Sequence, residues 1–210
     1  MSMFLIGICG ASGSGKTTLA NELACKLESR NIIIAQDAYY RDHSELSFEE
    51  RIHINYDEPQ AFEHDALLDD MRMMREGKPI TRKAYDYVHH RRADAENDMI
   101  QPAETVILEG IHAFYDKRLL EMMDLKIYVS ADPDICLLRR IQRDILERGR
   151  ELNGVCSQYM NTVKPMYEKY IRGYIEYADL IVSGSGNTDL ISNIVSFYIN
   201  NGKMKVIPHR

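Results

Sequence analysis

The chain has 210 residues, with 45% apolar and 28% charged side chains, which is enough for one well-filled core and short for two full domains. Its net charge of −6 argues against the broad basic surface that nucleic-acid binding needs, though local charge can oppose the average, so no nucleic-acid partner is expected. The first apolar run, residues 3–9, is too short to span a membrane, and Cys9, Cys25, Cys136 and Cys156 lack CxxC spacing, so a cytoplasmic protein with reduced, packing cysteines is expected.

The first predicted strand is MFLIGIC, residues 3–9. Directly behind it, Gly10-Ala11-Ser12-Gly13-Ser14-Gly15-Lys16-Thr17 fits G-x-x-x-x-G-K-[ST] at every position. Thr18 follows, and a helical pattern over 16–29 sets Leu19, Leu23 and Leu27 four apart. Strand, glycine loop and helix together form a P-loop, whose backbone N–H groups curl around a phosphate while the helix amino terminus adds partial positive charge. Lys16 is expected to reach the β- and γ-phosphates, and the Thr17 hydroxyl to ligate Mg²⁺. No Asn-Lys-x-Asp, the guanine-reading signature, is present.

The second strand, NIIIAQD (31–37), ends in Asp37. Residues 38–60 are polar and aromatic without a clean period, and residues 78–101 predict a β-hairpin-like insertion. TVILEGI (105–111) carries Glu109 near its end; LKIYVSA (125–131) and DLIVSG (179–184) complete the strands. A helix over 132–147 places Leu138, Ile141 and Ile145 on one stripe, and another over 188–200 does the same for Leu190, Ile191, Ile194, Val195 and Tyr198. Apolar strands without polar alternation, separated by helices, predict an α/β fold: a doubly wound parallel sheet with helices on both faces, in one domain over 1–210.

In such a sheet Asp37 and Glu109 lie on the same edge as the glycine loop. A carboxylate there can hold Mg²⁺, directly or through water, or take a proton from an attacking hydroxyl. RRIQRDILERGR, residues 139–150, holds five arginines against two acids inside an acidic protein. Arg140, Arg143 and Arg150 are expected near one face of a continuing helix, with Arg148 to the side as part of a lid, an arrangement suited to neutralising transition-state charge. The competing reading is a solvated helix carrying Arg140–Asp144 and Arg143–Glu147 pairs.

The ordered series GASGSGKTT, QDAYYRD, NYDEPQAFEHDAL, YDYVHHRR, ILEGI, DICLLRRIQRDILERGR, SQYMNTVKPMYEKYI and YADLIV resembles the uridine kinases (uridine–cytidine kinases) over residues 5–182. The resemblance implies phosphorylation of the 5′-hydroxyl of uridine or cytidine by ATP or GTP with Mg²⁺, in a homotetramer. It implies Asp37 as general base and metal contributor, Glu109 as its metal partner, and Asp57 with Arg140 on the ribose hydroxyls. Tyr40 and Tyr85 would line the pocket, and His90 would read the pyrimidine O4 or N4. Arg143, Arg148 and Arg150 would contact phosphates within a lid region over 139–158, with Arg150 also binding the acceptor and Gln158 beside it. Tyr56 and Tyr87 read as core aromatics, and His89 is expected to face away from His90 by strand alternation. Two departures stand out: Lys83, beside the acceptor pocket, replaces a proline of the family pattern, and SGSGN follows YADLIV without the family's arginine. The segment GKMKVIPHR (202–210) is outside the resemblance. The alternatives are a phosphoribulokinase-like sugar phosphate kinase and a non-catalytic ATP-binding switch.

Overall fold

The computed structural model describes residues 3–95 and 97–202, so all of the GKMKVIPHR tail except Gly202 lies outside the described residues. In chain order the elements begin with β1 (Phe4–Gly10), α1 (Lys16–Lys26), β2 (Asn31–Ala35), α2 (Phe48–Arg51) and α3 (His64–Arg75). Four short strands follow: β3 (Ile80–Thr81), β4 (Tyr85–Asp86), β5 (Arg91–Arg92) and β6 (Met99–Ile100). The chain continues through β7 (Thr105–Gly110), α4 (Lys117–Met122), β8 (Leu125–Ser130), α5 (Pro133–Leu146), α6 (Leu152–Gln158), α7 (Lys164–Lys169), β9 (Leu180–Ser183) and α8 (Thr188–Asn200).

The five Ile- and Val-rich runs form one sheet in the order β2-β7-β1-β8-β9, with every pairing parallel. Side chains alternate across it. Leu5 and Cys9 of β1, with Val106 and Leu108 of β7, face α3 and α4. Ile6, Ile8 and Ile107 face α1 and α8, where Leu19, Leu23 and Val195 cover them. A strand buried on both faces needs no polar residues, which is why these runs carry no period-two signal. Each fully buried aliphatic side chain contributes about 1.5–3 kcal/mol. The expected doubly wound parallel sheet with helices on both faces is therefore the fold of this chain. The strand order reverses at β1: the chain leaves it for the β2 edge and later returns past it to β8, so the carboxyl end of β1 opens into a crevice.

Residues 78–101 stand outside this alternation. β3 pairs with β6 and β4 with β5, both antiparallel, giving a short arm whose tip is the turn Tyr87–His90. The helical stripes differ from expectation. On α5, Leu138 is 63% exposed while Cys136, Arg140 and Asp144 are the buried residues. On α8, Leu190, Ile194 and Tyr198 are exposed while Val195 is buried. Periodicity shows that a helix has an apolar face, but not which neighbour covers it; α5 instead turns its polar face towards the crevice. Among the described residues no helix is long and apolar enough to cross a membrane.

Candidate active site

Between β1 and α1 the glycine loop closes through Ser14 N–H donating to Ala11 O at 3.1 Å. Gly13 and Gly15 take φ of 82° and 101°, a region that side chains disfavour. A Cβ on Gly13 would also stand 2.3 Å from Cys136 O, because the first turn of α5 packs against the loop. Gly15 is the N-cap of α1 and supplies no side-chain acceptor, so the first N–H groups of that helix remain available to an anion. Lys16 is buried, with its Nζ donating to Ala11 O at 3.0 Å. The recess in front measures about 1150 Å³ and is lined by Gly13, Gly15, Lys16, Thr17 and Thr18. Arg139, Arg143, Glu147, Gly184, Gly186 and Thr188 close its other side. Gly184 belongs to the SGSGN departure, which packs against the loop so closely that a Cβ there would stand 1.8 Å from Ser14 O.

Thr17 Oγ1 donates to Glu109 Oε1 at 3.1 Å. Burial pushes the Glu109 carboxyl above its usual range; Lys16 opposes this and Asp37 adds to it. Asp37 sits in the 3-10 turn Gln36–Tyr39 directly after β2. A hydroxyl and a carboxylate side by side, with a second carboxylate on the next strand end, are hard oxygen donors of the kind Mg²⁺ takes while keeping waters and substrate phosphates. The residues present therefore fit that ion. Among the described residues no group of three or more His, Cys, Asp or Glu forms a dedicated metal cage, and a phosphate-borne Mg²⁺ needs none.

Beside the recess lies a cleft of about 480 Å³. Asp37, Tyr40, Asp57, Tyr85, His90, Arg140, Arg150 and Gln158 all line it, together with Ser12, Tyr56, Tyr87, Ile111, Arg143 and Arg148. Its aromatic wall is continuous: Tyr40 lies 4.9 Å from Tyr85 and 5.3 Å from Tyr56, and Tyr56 stacks on His90 at 5.0 Å. Tyr56 and Tyr87 thus line the cleft rather than serving only the core. His89 does face away from His90, bonding Asp86 Oδ2 through Nδ1 at 2.6 Å, but not by strand alternation. The two histidines end a turn in which Asp86 Oδ1 accepts from the N–H groups of Val88 and His89, and His90 takes a φ of 50° that re-aims its ring. Burial first, then Arg150, Arg148 and Arg51, hold the His90 imidazole down to about 4, so it is neutral. Lys83 is not in the cleft lining; its Nζ lies 3.8 Å from Asp94 Oδ2, a partner within the arm.

The arginines converge by a route different from a continuing helix. α5 ends at Leu146, and Gly149 (φ 63°) turns the chain back so that Arg150 N–H donates to Asp144 O at 3.0 Å. Asp144, fully buried, then faces Arg143 Nη2 at 2.8 Å, Arg148 Nη1 at 3.3 Å, Arg150 Nη1 at 3.4 Å and Arg140 Nε at 3.6 Å. Burial would raise its carboxyl, but Arg140, Arg143 and Arg148 outweigh burial and keep it below the usual range. The Arg143–Glu147 pair is not formed; Arg143 turns to Asp144 instead. Arg148 lies 4.3 Å over the Tyr87 ring, inside the cleft. Arg140 donates to Ser12 Oγ and Gln158 Oε1, both at 2.9 Å, and lies 3.9 Å from Asp57 Oδ1. Asp57 Oδ2 accepts from Thr162 Oγ1 at 2.8 Å. Arg143 alone of the five arginines lines both the phosphate recess and the cleft.

Some residues assigned to the nucleotide from the sequence lie elsewhere. Ser12 and Arg148 line the cleft rather than the phosphate recess, Arg150, expected at both the nucleotide and the acceptor, lines the cleft alone, and Gly10 and Ser14 are buried in the loop's support. Sequence reasoning missed Arg139, whose Nη1 donates to Gly184 O at 2.9 Å, and gave Asp144 no more than a surface pairing. The spacing of four between Arg140 and Asp144 carried part of that signal; the return at Gly149 did not show in it.

Residues 5–192 match the phosphoribulokinase/uridine kinase family. A protein named uridine kinase from Staphylococcus carnosus (strain TM300) is 44% identical over 202 residues, covering 94% of this chain and 97% of that one. Another of that name, from Staphylococcus haemolyticus (strain JCSC1435), is 44% identical over 193 residues, covering 91% and 93%. Among solved structures, phosphoribulokinase from Rhodobacter spheroides has a TM-score of 0.59 at 18% identity, covering 90% of this chain and 74% of that one, a likeness of fold.

Proposed function

The chain belongs to the phosphoribulokinase/uridine kinase family, and from that premise we propose that it is a nucleoside kinase moving the γ-phosphoryl group of ATP or GTP to the 5′-hydroxyl of uridine or cytidine. The observation that carries the reading is Arg143, which borders both cavities and so marks where a donor phosphate in the recess meets an acceptor in the cleft. Four tyrosines and a neutral histidine suit a flat, uncharged base better than a sugar phosphate.

In this reading the loop's N–H groups and Lys16 hold the donor phosphates. Thr17 and Glu109 hold Mg²⁺, which when bound offsets phosphate charge. Asp37, in the cleft's lining, accepts the 5′-hydroxyl proton. Asp57 accepts from the ribose hydroxyls, as a carboxylate can from two donors at once. His90 faces the base edge. Arg143 and Arg148 neutralise charge on the phosphoryl group in transfer. A homo-oligomer fits the exposed apolar residues of α8, Leu190, Ile194 and Phe197 among them.

An ADP-release screen over uridine, cytidine and sugar phosphates tests the function. Stimulation by a pyrimidine nucleoside is expected; stimulation by a sugar phosphate alone, or by nothing, overturns it. Asp37→Asn should keep ATP binding in calorimetry while losing turnover, and near-normal turnover would remove Asp37 as the base.

A further inference from the structure

His112 lies three residues beyond Glu109, outside both cavities, and is fully buried. Its two ring nitrogens and its backbone are all engaged. Nε2 lies 2.8 Å from the backbone oxygen of Asp57, and Nδ1 lies 2.9 Å from the Tyr174 hydroxyl. The backbone N–H donates to Gln36 Oε1 at 2.9 Å, and Gln36 directly precedes Asp37. A carbonyl oxygen only accepts, so Nε2 carries the proton and donates to Asp57; Nδ1 is then bare and accepts from the Tyr174 O–H. One tautomer satisfies both ring nitrogens, and burial, the largest cause, holds the imidazole down to about 4, so it stays neutral.

We propose that His112, oriented by Tyr174, is a positioning residue for the acceptor site: it ties the Tyr56-Asp57 loop to the end of β7 and thereby sets where the Asp57 carboxylate stands in the cleft. The side-chain side of Asp57 is held separately, by Thr162 at 2.8 Å, and the loop's own bond is Asn55 Oδ1 accepting from Asp57 N–H at 3.1 Å. Neither connects the loop to the sheet. Among the described residues only the imidazole bond does so at this residue, and it joins the chain segment bearing Asp57 to the strand end that also carries Glu109 and, through Gln36, the turn bearing Asp37. The inference rests on the nucleoside kinase reading above.

The test is a split between the KM values of the two substrates. His112→Leu keeps the bulk and removes both ring bonds; KM for the nucleoside should rise about tenfold, the effect of one lost buried hydrogen bond, with KM for ATP changed less than about twofold. His112→Gln, which can still donate to Asp57, should recover most of the loss. Tyr174→Phe removes only the donor to Nδ1, frees the tautomer, and should raise nucleoside KM about threefold. Should His112→Leu fail to fold, Tyr174→Phe decides alone. Unchanged nucleoside KM in the folded variants, or equal rises for nucleoside and ATP, overturns the positioning role. A wild-type protein that phosphorylates no pyrimidine nucleoside overturns the functional reading instead, so the two failures are distinct.

Discussion

The phosphate loop and the acceptor cleft meet at Arg143, yet they are built in opposite ways. The loop is one contiguous stretch, residues 10–18, shaped by backbone: its glycines adopt dihedrals and contacts that no Cβ allows, and its donors are main-chain N–H groups at a helix start. The cleft is made of side chains delivered from separate parts of the chain between Ser12 and Gln158, with Asp57, Arg140 and Arg148 held by neighbouring side chains. A backbone site should therefore fail abruptly when one atom is added, and a side-chain site should lose function in steps.

Gly13→Val strikes the first kind. The added side chain meets Cys136 O and requires a strained φ, so phosphoryl transfer should fall at least about 100-fold and ATP binding should be lost in calorimetry. A variant that binds ATP within twofold of the parent would mean that the loop bends more freely than its packing against α5 implies. Asp144→Asn strikes the second kind at its most concentrated point. Four guanidinium groups lose their shared buried counter-charge, which should cost about 3–5 kcal/mol in urea denaturation and raise nucleoside KM as Arg140 and Arg150 drift. A loss below about 1 kcal/mol would mean the arginines find other partners.

The same contrast explains what could be read from the sequence. The loop could be read because its chemistry is local: glycine, lysine and threonine at fixed spacing state the backbone they need. The five strands could be read because buried parallel strands are continuous apolar runs. The cleft's residues were found through an ordered resemblance rather than through pattern, since nothing in the local sequence says that Tyr40, Asp57 and Arg140 meet. Three features escaped for a common reason. The return of the chain at Gly149, the left-handed turn at His90 and the outward rotation of Leu138 each depend on what packs against the segment. Asp144 looked like half of an exposed i, i+4 pair because a sequence does not show that the pair is buried. His112 gave one weak signal, a histidine in an otherwise apolar strand end, and its partners Asp57 and Tyr174 are 55 and 62 residues away.

Smaller steps sharpen the comparison. Tyr87→Leu removes the ring beneath Arg148, a contact of about 0.5–1 kcal/mol, so nucleoside KM should rise about three- to fivefold while ATP binding stays put. A matching loss of ATP affinity would show that the two sites are not separable at Arg148.

The finest test concerns His90 and pH. An ordinary imidazole titrates near 6.5, whereas burial and the nearby Arg150, Arg148 and Arg51 hold this one to about 4. Lowering the pH from 8 to 5.5 crosses the first value but not the second, so His90 stays neutral and nucleoside affinity should be flat over that range. Wild type and His90→Asn should then differ in affinity by a constant factor. Folding stability should respond where binding does not. The folded pKa is depressed, so the unfolded chain takes up the proton first, and between pH 6.5 and 4 wild type should lose stability relative to His90→Asn. An affinity break near pH 6.5 in wild type alone would mean that the arginines stand farther from the ring than the cleft geometry sets them. The side-chain site would then be looser than the backbone site in its electrostatics as well as in its sterics.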